Sequence, residues 1–78
     1  MATNPFHDLN PGHHWAHAQG PDGPCVLLIT WQPWLGQAVN HEDGDRVDTP
    51  HQDAEGVWWL HKWRVSRVEP VETPDYRP

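Results

Sequence analysis

Only five of the 78 residues are lysine or arginine, and only one is cysteine. A single thiol, Cys25, excludes an intrachain disulfide. Against eleven Asp and Glu, the few basic residues leave a formal charge of −6 with histidines neutral. So acidic a chain is repelled by nucleic-acid phosphates, so no direct nucleic-acid contact is expected. The longest apolar run, Cys25–Ile29, is far too short to span a membrane. Met1 is not followed by a basic segment leading into an apolar one, so no signal peptide is read. The expectation is a cytoplasmic protein that uses no membrane. No CxxC, HExxH or GxSxG motif is present, nor any internal repeat or low-complexity tract.

Six tryptophans are present instead. A domain this short buries a modest fraction of its surface, so each core residue matters more. At roughly 150–250 Å² each, the tryptophans are the natural core material. Seven histidines, at 7, 13, 14, 17, 41, 51 and 61, are the second excess. Protonating all of them moves the formal charge from −6 to +1, so the surface charge changes steeply between about pH 7 and pH 5.

The punctuation of the chain reads as a small, mainly β, antiparallel sheet of about four to five strands with one short helix, in a single domain spanning 1–78. Asn-Pro occurs twice within residues 1–14, which read as an irregular N-terminal arm. "HWAHAQ" reads as a first strand, and "GPDGP" (20–24) as a turn. "CVLLITWQ", bounded by prolines, reads as a central strand. "QAVNHE" follows as a third strand, and Asp43-Gly44 as the centre of a two-residue hairpin leading to "DRVD". Thr49 with Pro50 and Gln52 has the form of a helix start, and Gly56 of its end. Residues 69–78 carry three prolines and read as an extended tail.

"GVWWLHKWRV" (56–65) reads as part of one strand, Val57–Arg67, because Trp and Val favour strands. Alternation then puts Trp59 and Trp63 on the core face with Trp31, and Trp58 with Leu60 on the other. In "CVLLITWQ", Cys25, Leu27, Ile29 and Trp31 share one face, and Val26, Leu28 and Thr30 the other. One sheet with one short helix cannot cover both faces. Some of Val26, Leu28, Trp34, Trp58 and Leu60 therefore meet a second subunit, a partner or the arm, and a homodimer is possible.

Four groups of residues carry candidate chemistry. His13 and His17 share a strand face and could join His41, Asp43 and His51 around zinc, but the paired ligand spacing of a structural site is missing, so no metal and no cofactor is expected. Cys25 lies in an apolar run, where burial suppresses thiol reactivity. Lys62, Trp63, Arg64 and Arg67 interleave charge and aromatic faces, as in surfaces that stack a base or a sugar ring. Finally, Glu42, Asp43, Asp45, Asp48, Asp53 and Glu55 oppose one Arg46, a formal −5 in fourteen residues. Such a concentration either keeps a Trp-rich protein in solution or docks on a basic groove.

In size, acidity and lack of catalytic motifs, the chain resembles the small inhibitor proteins that phages and mobile elements make against host machinery, of the anti-CRISPR type. That resemblance implies binding without catalysis and carries no residue roles. The expected function is a non-enzymatic inhibitor or adaptor. Its partner is a basic protein or nucleoprotein complex, met by Glu42, Asp43, Asp45, Asp48, Asp53 and Glu55. The alternative is a small module that stacks a sugar or base on Trp58 or Trp34.

Overall fold

The computed structural model describes residues 4–71, and its regular elements are strands with a single 3-10 turn. β1 is Gly12–Gly20, β2 Gly23–Gln32, β3 Gln37–Asn40, β4 Arg46–Asp48, β5 His51–Gln52, β6 Trp58–Leu60 and β7 Trp63–Pro70. All belong to one antiparallel sheet in the order β4-β3-β2-β1-β7-β6-β5. The chain meanders from β1 out to β4, then resumes at the opposite edge with β5. Only Thr49 and Pro50 join those two edge strands. Three Cα–Cα steps reach at most about 11 Å. The sheet therefore curls until its edges nearly meet, as an open barrel with an inner and an outer face.

The inner face holds the core. Ala16 and Ala18 of β1, Leu27, Ile29 and Trp31 of β2, Ala38 of β3, Leu60 of β6 and Val65 of β7 are all buried. Alternation in β2 is as expected, with Cys25 also packed against this cluster and Val26 turned outward. Phe6 precedes β1, yet it is buried with its ring centroid 5.3 Å from that of Trp31. Within the segment expected to be an irregular arm, β1 already begins at Gly12. At the other end β7 runs through Pro70, and the rest of the expected tail, 72–78, lies outside the described residues.

The fold is mainly β, but with seven strands rather than four or five, and the helix expected between Thr49 and Gly56 is absent. Asp53 explains that correction. Its Oδ1 accepts the N–H groups of Glu55 at 2.8 Å and Val57 at 3.0 Å. Gly56 N–H donates to the Asp53 carbonyl at 3.1 Å. An aspartate that bonds its own backbone offers the chain a turn in place of a helix. The segment thus becomes β5 and a tight turn into β6. The Asp43-Gly44 hairpin is corrected too. Asn40 pairs with Arg46, so five residues make the connection. Asn40 Oδ1 caps the 3-10 turn His41–Asp43 from Glu42 N–H, and Gly44 ends it at φ 61°.

The expected strand Val57–Arg67 is in fact a hairpin. Leu60 pairs with Trp63 across a two-residue turn, His61-Lys62. A two-residue turn puts the residues flanking it on the same face, so the alternation before it is the reverse of a single strand's. Trp58 and Leu60 therefore face inward with Trp63 and Val65, and Trp59 faces outward. Leu60, expected on the open face, is fully buried, and Trp59, expected in the core, is half-buried. A second irregularity follows. Val65 pairs with Ala18 and Arg67 with His17, so Ser66 is bulged. An extra residue again inverts the alternation. Val68 returns to the core while Arg64 and Arg67 both stay outside.

Candidate functional site

The β1–β2 and β6–β7 hairpins turn at the same end of the sheet. Across it the register pairs Pro24 with Gln19, Gln19 with Arg64, Arg64 with Trp59 and Trp59 with His51. Directly opposed residues lie on one face, about 5 Å apart at Cβ. The pairing therefore lays a row of Gln19, Arg64 and Trp59 across the outer face. Arg64 Nη2 donates to Gln19 Oε1 at 3.1 Å, forming a ridge. A groove of about 340 Å³ opens on one side of this ridge, against Pro21, Trp59 and Lys62. Another, of about 400 Å³, opens on the other side, against His17, Pro24, Val26 and Ser66. Both volumes fall within the range of small-molecule sites.

The aromatic wall is held in place. Trp59 Nε1 donates to Asp53 Oδ2 at 2.7 Å, so the carboxylate that shapes the β5–β6 turn also fixes the indole. That bond, followed by the one from Val57 N–H, holds the Asp53 carboxyl below the ordinary aspartate value. Lys62 lines this groove, and its Nζ lies 5.0 Å from the centroid of the inward-facing Trp63 ring, a cation–π contact. Gly20 permits the close packing: a Cβ there would sit 2.7 Å from Trp63 Cδ1 and Nε1.

Charge is unevenly divided. The described basic side chains are Arg46, Lys62, Arg64 and Arg67, and the last three belong to the β6–β7 hairpin. Arg46 is bound to Asp48 at 3.0 Å. Beside the wider groove, His17 Nε2 and Glu69 Oε1 are 2.7 Å apart, and this bond, with Arg67 nearby, lowers the Glu69 carboxyl against the opposing cost of its desolvation.

The residues singled out in sequence are not brought together. Asp45 is bound to His41 at 2.6 Å, Asp48 to Arg46, and Asp53 to its own turn and Trp59. Glu42, Asp43 and Glu55 make no side-chain bond among the described residues, and they sit in two separate connections. Trp34 is 69 % exposed in the β2–β3 turn, about 30 Å from the grooves along β2. Trp58 faces inward, and its Nε1 is buried without an acceptor. Lys62 and Arg64 were legible as an aromatic–basic alternation. Gln19 and Pro21 carried no signal, because Gln19 meets Arg64 only through a pairing of residues 45 apart in sequence.

A hydroxyl–imidazole–carboxylate chain also occurs. His41 Nε2 lies 2.6 Å from Thr30 Oγ1, and His41 Nδ1 2.6 Å from Asp45 Oδ1, with His13 stacked on His41 at 5.7 Å. These bonds tie the connection after β3 to the C-terminal part of β2. Among the described residues no group of three His, Cys, Asp or Glu side chains could hold a metal ion, and no helix is long and apolar enough to cross a membrane. Comparison with protein-family models, curated proteins and solved structures finds no match.

Proposed function

We propose that this chain is a binding domain without catalytic chemistry that holds a small anionic ligand bearing a planar ring, such as a base–phosphate unit, at the end formed by the two hairpins. The observation that carries this reading is the Gln19–Arg64–Trp59 row, with a groove on each side and Lys62 among the residues that line one of them. An indole fixed by its own hydrogen bond offers a stacking face at little entropic cost, and base–aromatic stacking is worth about 1–3 kcal/mol. Arg64 and Lys62 supply the complementary charge. The formal −6 of the whole chain argues for a small anion over a long polyanion, which would run past the basic hairpin onto acidic surface.

The test is a tryptophan-fluorescence titration with a nucleoside monophosphate, compared with the uncharged nucleoside. Saturable quenching that Lys62→Ala or Arg64→Ala weakens about tenfold, the size of one lost charge-assisted bond, supports the reading. Equal response to nucleoside and monophosphate, or none to either, overturns it.

A second reading, docking on a basic protein or nucleoprotein complex as an anti-CRISPR-like inhibitor would, is favoured by Glu42, Asp43 and Glu55, whose carboxylates make no bond among the described residues. Its test is salt-sensitive capture of a basic protein that the triple variant Glu42→Gln, Asp43→Asn, Glu55→Gln fails to capture. Unchanged capture by that variant assigns the acidic stretch to keeping the protein in solution.

A further inference from the structure

The narrower groove is one-sided in its hydrogen-bonding groups. Gln19, Gly20, Pro21, Trp59, Lys62 and Arg64 line it. A guanidinium donates and never accepts, so the atom 3.1 Å from Arg64 Nη2 has to be the carbonyl oxygen of Gln19 and not its nitrogen. That bond fixes which way round the amide sits. Gln19 Nε2 then has no acceptor among the described residues, and the Lys62 ammonium meets only the Trp63 ring. The indole N–H of Trp59 is taken by Asp53, and both oxygens of that carboxylate are engaged with the indole and its own turn. Gln19, Lys62 and Arg64 thus offer donors, and no side chain lining the groove offers a free acceptor.

We propose that this groove selects a 6-oxopurine monophosphate, carrying guanine or hypoxanthine, over its 6-amino counterpart. The proposal rests on the base–phosphate reading given above and names the base. A ring stacked on Trp59 turns one edge toward Arg64, which pairs with Trp59, and toward Gln19, which pairs with Arg64. That edge meets donors only. Guanine presents two acceptors side by side, O6 and N7, whereas adenine sets an amino donor beside N7. Against adenine, the amino group meets an amide or guanidinium N–H, and a donor closed under the ring is left unpaired, which is costly. Uracil separates its two acceptors by an N–H. Cytosine has adjacent acceptors, N3 and O2, but O2 lies beside the sugar bond, and a single ring covers less of the indole. The Gln19–Arg64 pair is therefore the specificity-determining element, and Lys62, in the turn, is left for the phosphate.

Calorimetric titration of the full chain with the monophosphates of guanosine, inosine, adenosine and cytidine tests it. Guanosine and inosine monophosphates should bind alike, because the 2-amino group that separates them lies on another edge of the ring. Adenosine monophosphate should bind at least about fivefold more weakly, the lower end of what a base-edge contact of this kind discriminates. Gln19→Glu replaces the amide donor by an acceptor and keeps the bond to Arg64. Its added negative charge weakens every monophosphate, so the readout is the ratio. The guanosine-to-adenosine preference should vanish or reverse in that variant, on an exposed side chain whose loss leaves the far-UV spectrum unchanged. Equal binding of guanosine and adenosine monophosphates overturns the proposal and leaves the base–phosphate reading standing. So does cytidine monophosphate bound as tightly as guanosine monophosphate, a preference for guanosine over inosine, or a preference that Gln19→Glu does not change. Binding of none of the four overturns that reading and this proposal with it.

Discussion

Both hairpins that frame the grooves turn through two residues, but they are closed by different means. The β1–β2 turn uses Pro21 and Asp22 between Gly20 and Gly23, and Gly23 takes φ 114° at no steric cost. The β6–β7 turn uses His61 and Lys62, and His61 is held at φ 57°, a region that costs a residue with a Cβ about 1–2 kcal/mol. The second turn persists because of what flanks it. Leu60 is fully buried and pairs with Trp63, and full burial of a leucine stabilises by about 1.5–3 kcal/mol. One hairpin is made by its turn residues, the other by the core on either side of an unfavourable turn.

The strongest way to break that comparison is to empty the core beside the second turn. Leu60→Ala should cost about 2–5 kcal/mol in a urea titration. Trp59→Ala, on the neighbouring but outward position, should cost distinctly less despite removing a larger side chain. The reverse order would restore a single strand through 57–67, with Trp59 inside.

Next in size is the contact between the two hairpins. Gly20→Ala drives a methyl to 2.7 Å from the Trp63 ring, whose inner side packs on the core. Overpacking of this kind costs about 1–3 kcal/mol. The same substitution at Gly12, where nothing lies within 4 Å, meets no such clash, so its cost reflects backbone conformation alone. Unchanged stability on Gly20→Ala would mean that the Trp63 contact is immaterial.

The difference between the hairpins also decides what could be read in the sequence. "GPDGP" announces its turn, and the period-two pattern of "CVLLITWQ" fixes the inward set Leu27, Ile29 and Trp31. "WWLHKWRVSRV" contains no Gly, Pro, Asn or Asp, so nothing local marks a reversal. The trace that remains is spacing: the inward positions 58, 60, 63, 65 and 68 are separated alternately by two and three, and each three is a turn or a bulge. The helix expected from Thr49 to Gly56 failed for a related reason. A helix start and an aspartate-capped turn use the same residue types, and the choice was made by Trp59, whose indole N–H takes the second carboxylate oxygen only when β5 and β6 pair. The grooves were half legible, since Lys62 and Arg64 stood out while Gln19 and Pro21 reach them through long-range pairing.

That carboxylate gives the third test. Asp53 titrates below its ordinary value in the fold, so its contribution to stability is complete above about pH 4 and is lost as pH falls through the lower, folded value. Asp53→Asn should therefore lower the melting temperature at pH 7 and converge with the parent chain near pH 2. Parallel melting curves across that range would mean that the charge of Asp53 is not what holds the β5–β6 turn.

The smallest effect comes from giving the second hairpin what the first already has. His61→Gly removes the penalty of φ 57°, about 1–2 kcal/mol. Against it stand the extra freedom of glycine in the unfolded chain, about 0.5–1 kcal/mol, and the tilted contact of the His61 ring with Trp63 at 6.0 Å, a few tenths at an exposed position. The balance is a gain of about 0.5 kcal/mol, or roughly 2–4 °C in melting temperature for a domain of this size. Because the groove side chains stay in place, affinity for the monophosphate should be unchanged. A fall in melting temperature would show that the imidazole, by leaning on Trp63, holds the turn more than its backbone strains it. The two hairpins would then both be closed by turn residues, one through glycine and the other through a ring contact.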